Sequence, residues 1–309
     1  VESTVSILKR QTMMITIMLV FFGFLISFYA ANHIATPITR ITKSAKRLAH
    51  GDYAVKFEGG GYAEVDDLAE TLTYAAHELS KTDQMQRDLI ANVSHDLRTP
   101  LTMMKAYAEM IRDLSGNNPV KREQHLNIII EETDRLTQLV NDMLELSRLQ
   151  SGTASLSRSV FAPLPLLDLI HETYSAYAED YQQTFVYDVP KDLPNVVGNP
   201  DRTQQVLIAL LDNAFKYTPE GGTVTLSACT EDQVVRIRVT DTGVGIPAAD
   251  LPHVFDRFYK VDKSHHSKGT GLGLAIAYEI MKHLGEEMSV TSEPGKGSRF
   301  YFRLPSGVR

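Results

Sequence analysis

The chain has 309 residues, enough for one catalytic domain and smaller modules at about 100–200 residues per domain. Its 43% apolar and 22% charged residues exclude wholesale disorder, and a net charge of −7 provides no basic surface, so no nucleic-acid partner is expected. The only cysteine, Cys229, excludes an intrachain disulfide framework and a cysteine-rich metal site, and is expected to be a small core residue of a strand.

From Met13 to Ala31 every residue is uncharged, and the run is long enough for a helix to cross roughly 30 Å of hydrocarbon. Lys9 and Arg10 flank it on one side; Arg40, Lys43, Lys46 and Arg47 follow on the other. The heavier basic flank places the C-terminal side in the cytoplasm and makes a lipid bilayer the first expected partner. Because the chain starts at Val1 rather than Met, an extracytoplasmic sensor and an earlier membrane helix are expected before it.

After Pro37, Ile38, Ile41, Ala45 and Leu48 recur at spacings of three and four, the seam of a coiled coil. Gly51-Asp52 stops that helix, Gly59-Gly60-Gly61 reads as a flexible connector, and Val65, Leu68, Leu72, Ala75 and Leu79 form a second seam. Two short amphipathic helices cannot bury their seams alone and need a partner chain. The proline, the glycines and Glu64-Val65-Asp66 resemble a HAMP module, which implies a parallel coiled coil of four helices in a dimer.

Helical periodicity runs on through Leu89 and Val93 to Ser94-His95-Asp96-Leu97-Arg98-Thr99-Pro100-Leu101, where Pro100 is expected to kink the helix. Ser115-Gly116-Asn117-Asn118-Pro119 breaks the chain before a second long helix from about 120 to 149. Leu126, Ile129, Thr133, Leu136, Val140 and Met143 form one stripe, and Ile130, Leu139, Leu144 and Leu146 a companion stripe. A face this wide suits a helical hairpin doubled into a dimeric four-helix bundle. An acidic neighbour such as Asp96 can hold one imidazole nitrogen of His95 protonated and leave the other nucleophilic. The string HDLRTPL closely resembles the H-box of histidine kinases. The resemblance implies that His95 accepts phosphate, that Asp96 assists, and that Thr99 orients water for dephosphorylating the partner protein.

Beyond Gly152 the pattern turns to mixed helix and strand. Strands are expected at 184–189, 223–230, 234–240, 287–291 and 299–304, and helices at 201–217 and 271–284. Asn213 offers an amide oxygen suited to Mg²⁺, and Lys216, one turn on, can answer phosphate charge. Asp241-Thr242-Gly243-Val244-Gly245 ends a strand. A carboxylate there can accept from an exocyclic amino group, and Gly243 and Gly245 permit close backbone approach. Phe255-Asp256-Arg257-Phe258-Tyr259 follows. Then Gly269-Thr270-Gly271-Leu272-Gly273 opens a helix whose N-terminal donors can cradle phosphate.

These four segments resemble, in order, the N, G1, F and G2 boxes of the histidine-kinase catalytic domain. The resemblance covers nearly all of 37–309. It implies a Bergerat α/β sandwich binding ATP and Mg²⁺, with Asn213 on the metal and Lys216, Tyr217, Asp241, Gly243, Gly245, Lys260 and Gly269 to Gly273 around the nucleotide. Residues 260–268, with His265 and His266, would form a mobile lid. Ala209 departs from the pattern, which often has a second asparagine one turn before Asn213. A lost contact of about 1–3 kcal/mol would slow the kinase by roughly 5- to 150-fold.

The expected chain is multidomain: the end of an extracytoplasmic segment at 1–12, a transmembrane helix at 13–34, a HAMP-like linker at 35–84, a dimerisation and phosphotransfer domain at 85–152, and a catalytic domain at 153–309. The family implies a homodimeric sensor kinase in a prokaryotic cell membrane. It would phosphorylate itself within or across the dimer, pass the group to an aspartate on a response-regulator receiver domain, and dephosphorylate that partner. Two alternatives stay open: a Bergerat ATPase doing conformational work, and a non-catalytic or phosphatase-only signalling dimer, which Ala209 would favour.

Overall fold

The computed structural model describes residues 2–60, 62–151, 157–261 and 269–307, and contacts divide the chain after Ala91 into two units. In the first, helix α1 (Glu2–Ala30) exposes every side chain from Ile7 to Tyr29. From Met13 onward it is uncharged on every side, as a membrane-spanning helix must be, and it belongs to the one helical run among the described residues long and apolar enough to cross a membrane. Thr16 returns its hydroxyl to the Thr12 carbonyl at 2.9 Å, so this polar group needs no water.

The helical path does not break at the expected end of the span. It widens into one π turn, Ala31–Ala35, and continues as α2 (Thr36–Ala49). Pro37 is the physical reason: it has no N–H to give, and its ring crowds the carbonyl one turn back. Both the N–H and the hydroxyl of Thr36 reach the Ala31 carbonyl, five residues away.

The connector after α2 is tightly packed, contrary to its expected flexibility. Val55 and Phe57 are buried with Ile41, Ala69 and Ala76, and Ala45, Leu48, Val65 and Leu72 pack against them. A Cβ on Gly60 would lie 2.3 Å from the Pro37 ring, and one on Gly59 would lie 1.8 Å from Asp66 Oδ1. The glycines are needed for close approach, not for slack. Gly61 lies outside the described residues. Ile38, Leu68 and Leu79 of the expected seams stay exposed.

Helix α3 (Ala63–Met110) carries Pro100 within its span and continues for ten residues beyond it. A π turn, Ile111–Ser115, leads to α4 (Pro119–Gln150), whose Asn118 cap accepts from the Lys121 N–H at 3.1 Å. The hairpin is pinned by Ser115 Oγ to His125 Nδ1 at 3.0 Å, and by the Thr133 hydroxyl on Met104 Sδ at 3.2 Å.

Residues 157–307 form a mixed five-stranded sheet covered on one face by helices. Its order is β2 (Thr184–Asp188), β4 (Thr223–Glu231), β5 (Val234–Asp241), β7 (Gly297–Pro305), β6 (Met288–Glu293). Only β2 and β4 run parallel, and β1 (Ser159–Phe161) pairs with β3 (Val196–Gly198) apart from the sheet. Strict alternation on β5 turns Val235, Ile237 and Val239 toward α5 (Pro163–Asp180), α6 (Pro200–Tyr217) and α7 (Gly273–His283). The helix layer supplies Leu167, Ile170, Leu207, Leu211, Phe215 and Ile280. The same alternation puts Ala228 in this core and its neighbour Cys229 on the open face, opposite Arg236, so the expected core position of the cysteine is wrong by one residue.

The wide face of α4 is shared between two uses. Leu139, Leu146 and Leu149 are buried in the core of the sheet domain. Leu126, Ile130, Val140 and Leu144 remain 42–57% exposed. The expected companion stripe is therefore divided, with half of it capturing the sheet domain.

Candidate active site

His95 lies on α3 with its side chain 58% exposed, and its Nδ1 faces Asp96 Oδ1 at 3.1 Å. Thr99 sits one turn on and returns its hydroxyl to the His95 carbonyl at 3.4 Å, a long contact that holds it weakly. These three residues are together, as their spacing requires.

The four separated segments converge where β5, α6 and α7 meet. Asn213 projects from α6 and donates its amide Nδ2 to the Ala209 carbonyl at 2.9 Å. That bond fixes which end of the amide is occupied and leaves the oxygen as the acceptor for a hard cation. Lys216 Nζ rests over the Tyr217 ring, 4.5 Å from its centroid, and contacts the phenol oxygen at 3.0 Å. It also lies 2.9 Å from where a Cβ on Gly269 would be, so the N and G2 segments meet at this lysine.

Asp241 ends β5 and is only 5% exposed. Its Oδ1 accepts from the N–H groups of Gly243 at 2.9 Å and Ser298 at 3.1 Å. Burial pushes its carboxyl above the usual range, and the two backbone donors pull it partly back. Glycines make room on every side. A Cβ on Gly243 would meet the Tyr217 carbonyl at 2.3 Å; one on Gly245, at φ +70°, would meet the Glu293 carbonyl at 2.1 Å. Gly297 comes within 1.9 Å of the Asp241 carbonyl by the same measure. Gly297 and Ser298 leave no signal in the sequence because they reach Asp241 only through the β5–β7 pairing, which no local pattern records.

Gly271, at φ +71°, lies against the Phe258 backbone, and its carbonyl accepts the Phe258 N–H at 3.0 Å. Phe258 itself has φ 61°, uncommon for an aromatic residue and held here by that bond. Helix α7 starts at Gly273, two residues later than expected, because Gly271 adopts a conformation no helix accepts. Gly273 faces Ala209, with 4.0 Å between its would-be Cβ and the alanine methyl. Leu272 is fully buried beneath the loop.

Lys260 is partly buried. Burial lowers its pKa, Asp96 raises it, and Arg135 and Lys216 lower it further. The rest of the expected lid, including His265 and His266, lies outside the described residues, as does Gly152. Thr270 was expected at phosphate, yet its hydroxyl donates to Asp142 Oδ2 on α4 at 2.8 Å. Burial raises the Asp142 carboxyl, while Thr270 and Gln138 lower it by hydrogen bonding. Asp142 is a site neighbour that helical periodicity alone could not single out.

Comparison with known families gives three matches along the chain. Residues 29–81 match the HAMP domain, 85–152 the His Kinase A (phospho-acceptor) domain, and 198–308 the histidine kinase-, DNA gyrase B- and HSP90-like ATPase domain. The fold and these segments define a signalling protein that joins a phosphoacceptor helix hairpin to an ATP-binding α/β domain. The chain belongs to the two-component sensor histidine kinases. It is 38% identical over 248 residues to the sensor histidine kinase WalK of Bacillus subtilis (strain 168), covering 79% of this chain and 40% of that protein. The chain thus spans about two fifths of the length of the curated relatives it matches. Full-length ShkA, solved with AMPPNP, is 30% identical with a TM-score of 0.54, over 72% of this chain and 47% of that one. The histidine kinase ThkA, solved with the response regulator TrrA, shares the fold with a TM-score of 0.62 at 23% identity, over 79% of this chain and 69% of that one.

Proposed function

We propose that the protein transfers the γ-phosphoryl group of ATP to His95 and then to an aspartate of a response-regulator receiver domain. The observation that carries this reading is the convergence of Asn213, Lys216, Asp241 and the Gly269–Gly273 loop on one site, in a chain that also holds the His95–Asp96 pair.

Asp96 holds the proton on Nδ1 of His95, which leaves the Nε2 lone pair as the nucleophile. The Nε2–phosphorus bond forms as the bond to the β,γ-bridging oxygen breaks, and ADP leaves with that oxygen's electrons. Asp241 accepts from the adenine amino group. Lys216, Lys260 and the N–H groups of Gly271 to Gly273 neutralise phosphate charge, so catalysis is chiefly positioning and electrostatics. Thr270 and Tyr217 line the same site. The donor chemistry around Asn213 fits Mg²⁺, a hard cation that would neutralise phosphate charge when bound there. Thr99 would orient water in the reverse duty, dephosphorylating the regulator.

The exposed apolar residues Leu101, Leu126, Ile130, Val140 and Leu144 support a homodimer that completes a four-helix bundle. The apolar α1 and its basic C-terminal flank support a prokaryotic cell-membrane location with the catalytic part in the cytoplasm. The domain limits read from the sequence, 35–84, 85–152 and 153–309, are proposed with this function. Incubating the protein with γ-labelled ATP and Mg²⁺, beside His95→Gln, tests it. Acid-labile, base-stable label absent from the variant is expected. Label that persists in His95→Gln would overturn the assignment.

A further inference from the structure

We propose that the open face of the ATP-binding domain's sheet is a docking surface for an acidic, extended segment of another protein. The inference goes beyond the phosphotransfer reading and does not depend on it. A chain with a net charge of −7 is not expected to carry a basic surface, yet this face is one.

Alternation along β5 and β7 turns their apolar residues into the core and leaves Arg236, Arg238, Arg299, Tyr301 and Arg303 on the other side. The strand register gathers these five into one patch. Arg236 lies directly opposite Arg303, Arg238 opposite Tyr301, and Thr240 opposite Arg299. Arg238 is therefore diagonal to both Arg299 and Arg303, at about 7–8 Å. That is within the Debye length of about 8 Å at physiological salt, so the charges act together.

Only one end of the patch is neutralised. Glu231 grips Arg236 through two contacts, of 2.7 and 2.8 Å, and Glu287 meets Arg303 at 2.9 Å. Arg238 has Ser227 and Tyr301 as cross-strand neighbours, and Arg299 has Thr240 and Thr291. None of these is acidic, and among the described residues neither arginine forms an ion pair. The Nε groups of Arg236, Arg238 and Arg303 are shut off from water without an acceptor, so these side chains lie packed on the sheet. Guanidinium forks held in place before a partner arrives suit carboxylates, which they can grip at two points.

The geometry also selects the occupant. Arg236 and Arg238 are two residues apart, about 6.6 Å along the strand, which is the spacing of same-side groups in an extended peptide. A segment laid along β5 and β7 with carboxylates at alternate positions meets the arginines in register. Tyr301 is the one aromatic ring on the patch and already lies under Arg236, 5.3 Å from the guanidinium, so successive nucleic-acid bases have no platform. The flanking residues Ser227, Thr240 and Thr291 present hydroxyls, not the apolar wedge that a lipid surface takes up.

The test follows fluorescence anisotropy of two labelled peptides, (Glu-Ser)6 and (Glu-Glu-Ser-Ser)3, with the full chain in neutral nanodiscs at physiological salt. Both carry the same number of carboxylates, but only the first presents all of them on one side when extended. The first should bind at least about 5-fold tighter than the second. Arg238→Gln/Arg299→Gln should weaken it by roughly 10-fold or more and leave ATP affinity unchanged. No binding, equal affinity for the two peptides, or unchanged affinity in the double variant overturns the proposal. Tighter binding of single-stranded DNA or of phosphatidylserine vesicles also overturns it, making the face a nucleic-acid or a lipid site. The two peptides are compared on the unaltered protein, so the test stands even if the double variant fails to fold.

Discussion

At the proposed nucleotide site two residues, Asp241 and Ala209, carry testable expectations. Asp241→Asn keeps an oxygen for the Gly243 and Ser298 N–H groups but turns a donor toward an adenine amino group. Loss of about 2–3 kcal/mol of ATP binding is expected, roughly 30- to 150-fold in Kd by calorimetry, with the fold intact by circular dichroism. Since burial holds the Asp241 carboxyl above its usual range, ATP affinity should also fall on mild acidification, as the group takes up a proton it must lack to accept. The Asn variant should lose that pH dependence. Ala209 is the second position. Gly273 opposite it leaves room, and the Ala209 carbonyl already orients Asn213. Ala209→Asn should therefore raise the initial rate of autophosphorylation, by roughly 5-fold or more if the missing contact is worth at least about 1 kcal/mol. An unchanged rate would show that the site has compensated for the alanine.

Among the elements, α4 is the one whose role the sequence understates. Its apolar stripes announce a bundle, and periodicity cannot say which stripe meets which partner. Leu146 is 2% exposed within the sheet domain's core, so Leu146→Ala should cost about 2–5 kcal/mol and loosen the docking of that domain. Differential scanning calorimetry should show one thermal transition split into two. A single transition lowered as a whole would mean that hairpin and sheet domain unfold together regardless. The elements of the sheet domain were mostly legible: 184–189, 223–230, 234–240 and both expected helices appear within a few residues. The strand β1, the helix α5 and the strand β3 were not read. β1 and β3 are three residues each, too short for a period, and α5 begins Pro-Leu-Pro, which obscures its helical pattern. Likewise, the residues that chemistry marks, His95, Asn213 and Asp241, were legible. Those that join the site only in space, Asp142 against Thr270 and Gly297 and Ser298 against Asp241, were not, because long-range contact leaves no local trace.

For the second unit as a whole, pH is the informative variable. Asp142, Asp212, Asp241 and Glu286 all have carboxyl groups held above their ordinary range, with burial the largest cause in each. Raised folded-state values mean that the native state binds more protons than the unfolded chain in the interval between the two. Stability should therefore rise as pH falls from 7 toward that interval, against the usual acid weakening, until the ordinary carboxylates begin to protonate. A Tm series of residues 92–309 from pH 7.5 to 5 checks the sign, and a monotonic fall would refute it.

The π turn at Ala31–Ala35 has a consequence for the length of the chain itself. Such a turn is an α-helix holding one surplus residue. Removing a single residue there leaves the faces of α1 and α2 in their present phase, and the remaining cost is local, the crowding of Pro37 against the carbonyl one turn back. Removing one from within α2 instead rotates everything downstream by about 100° and takes Ile41 off its core. Single-residue deletions should thus be tolerated at 31–35 and damaging at 38–48, so the segment just past the span is where natural chain-length variation can be absorbed.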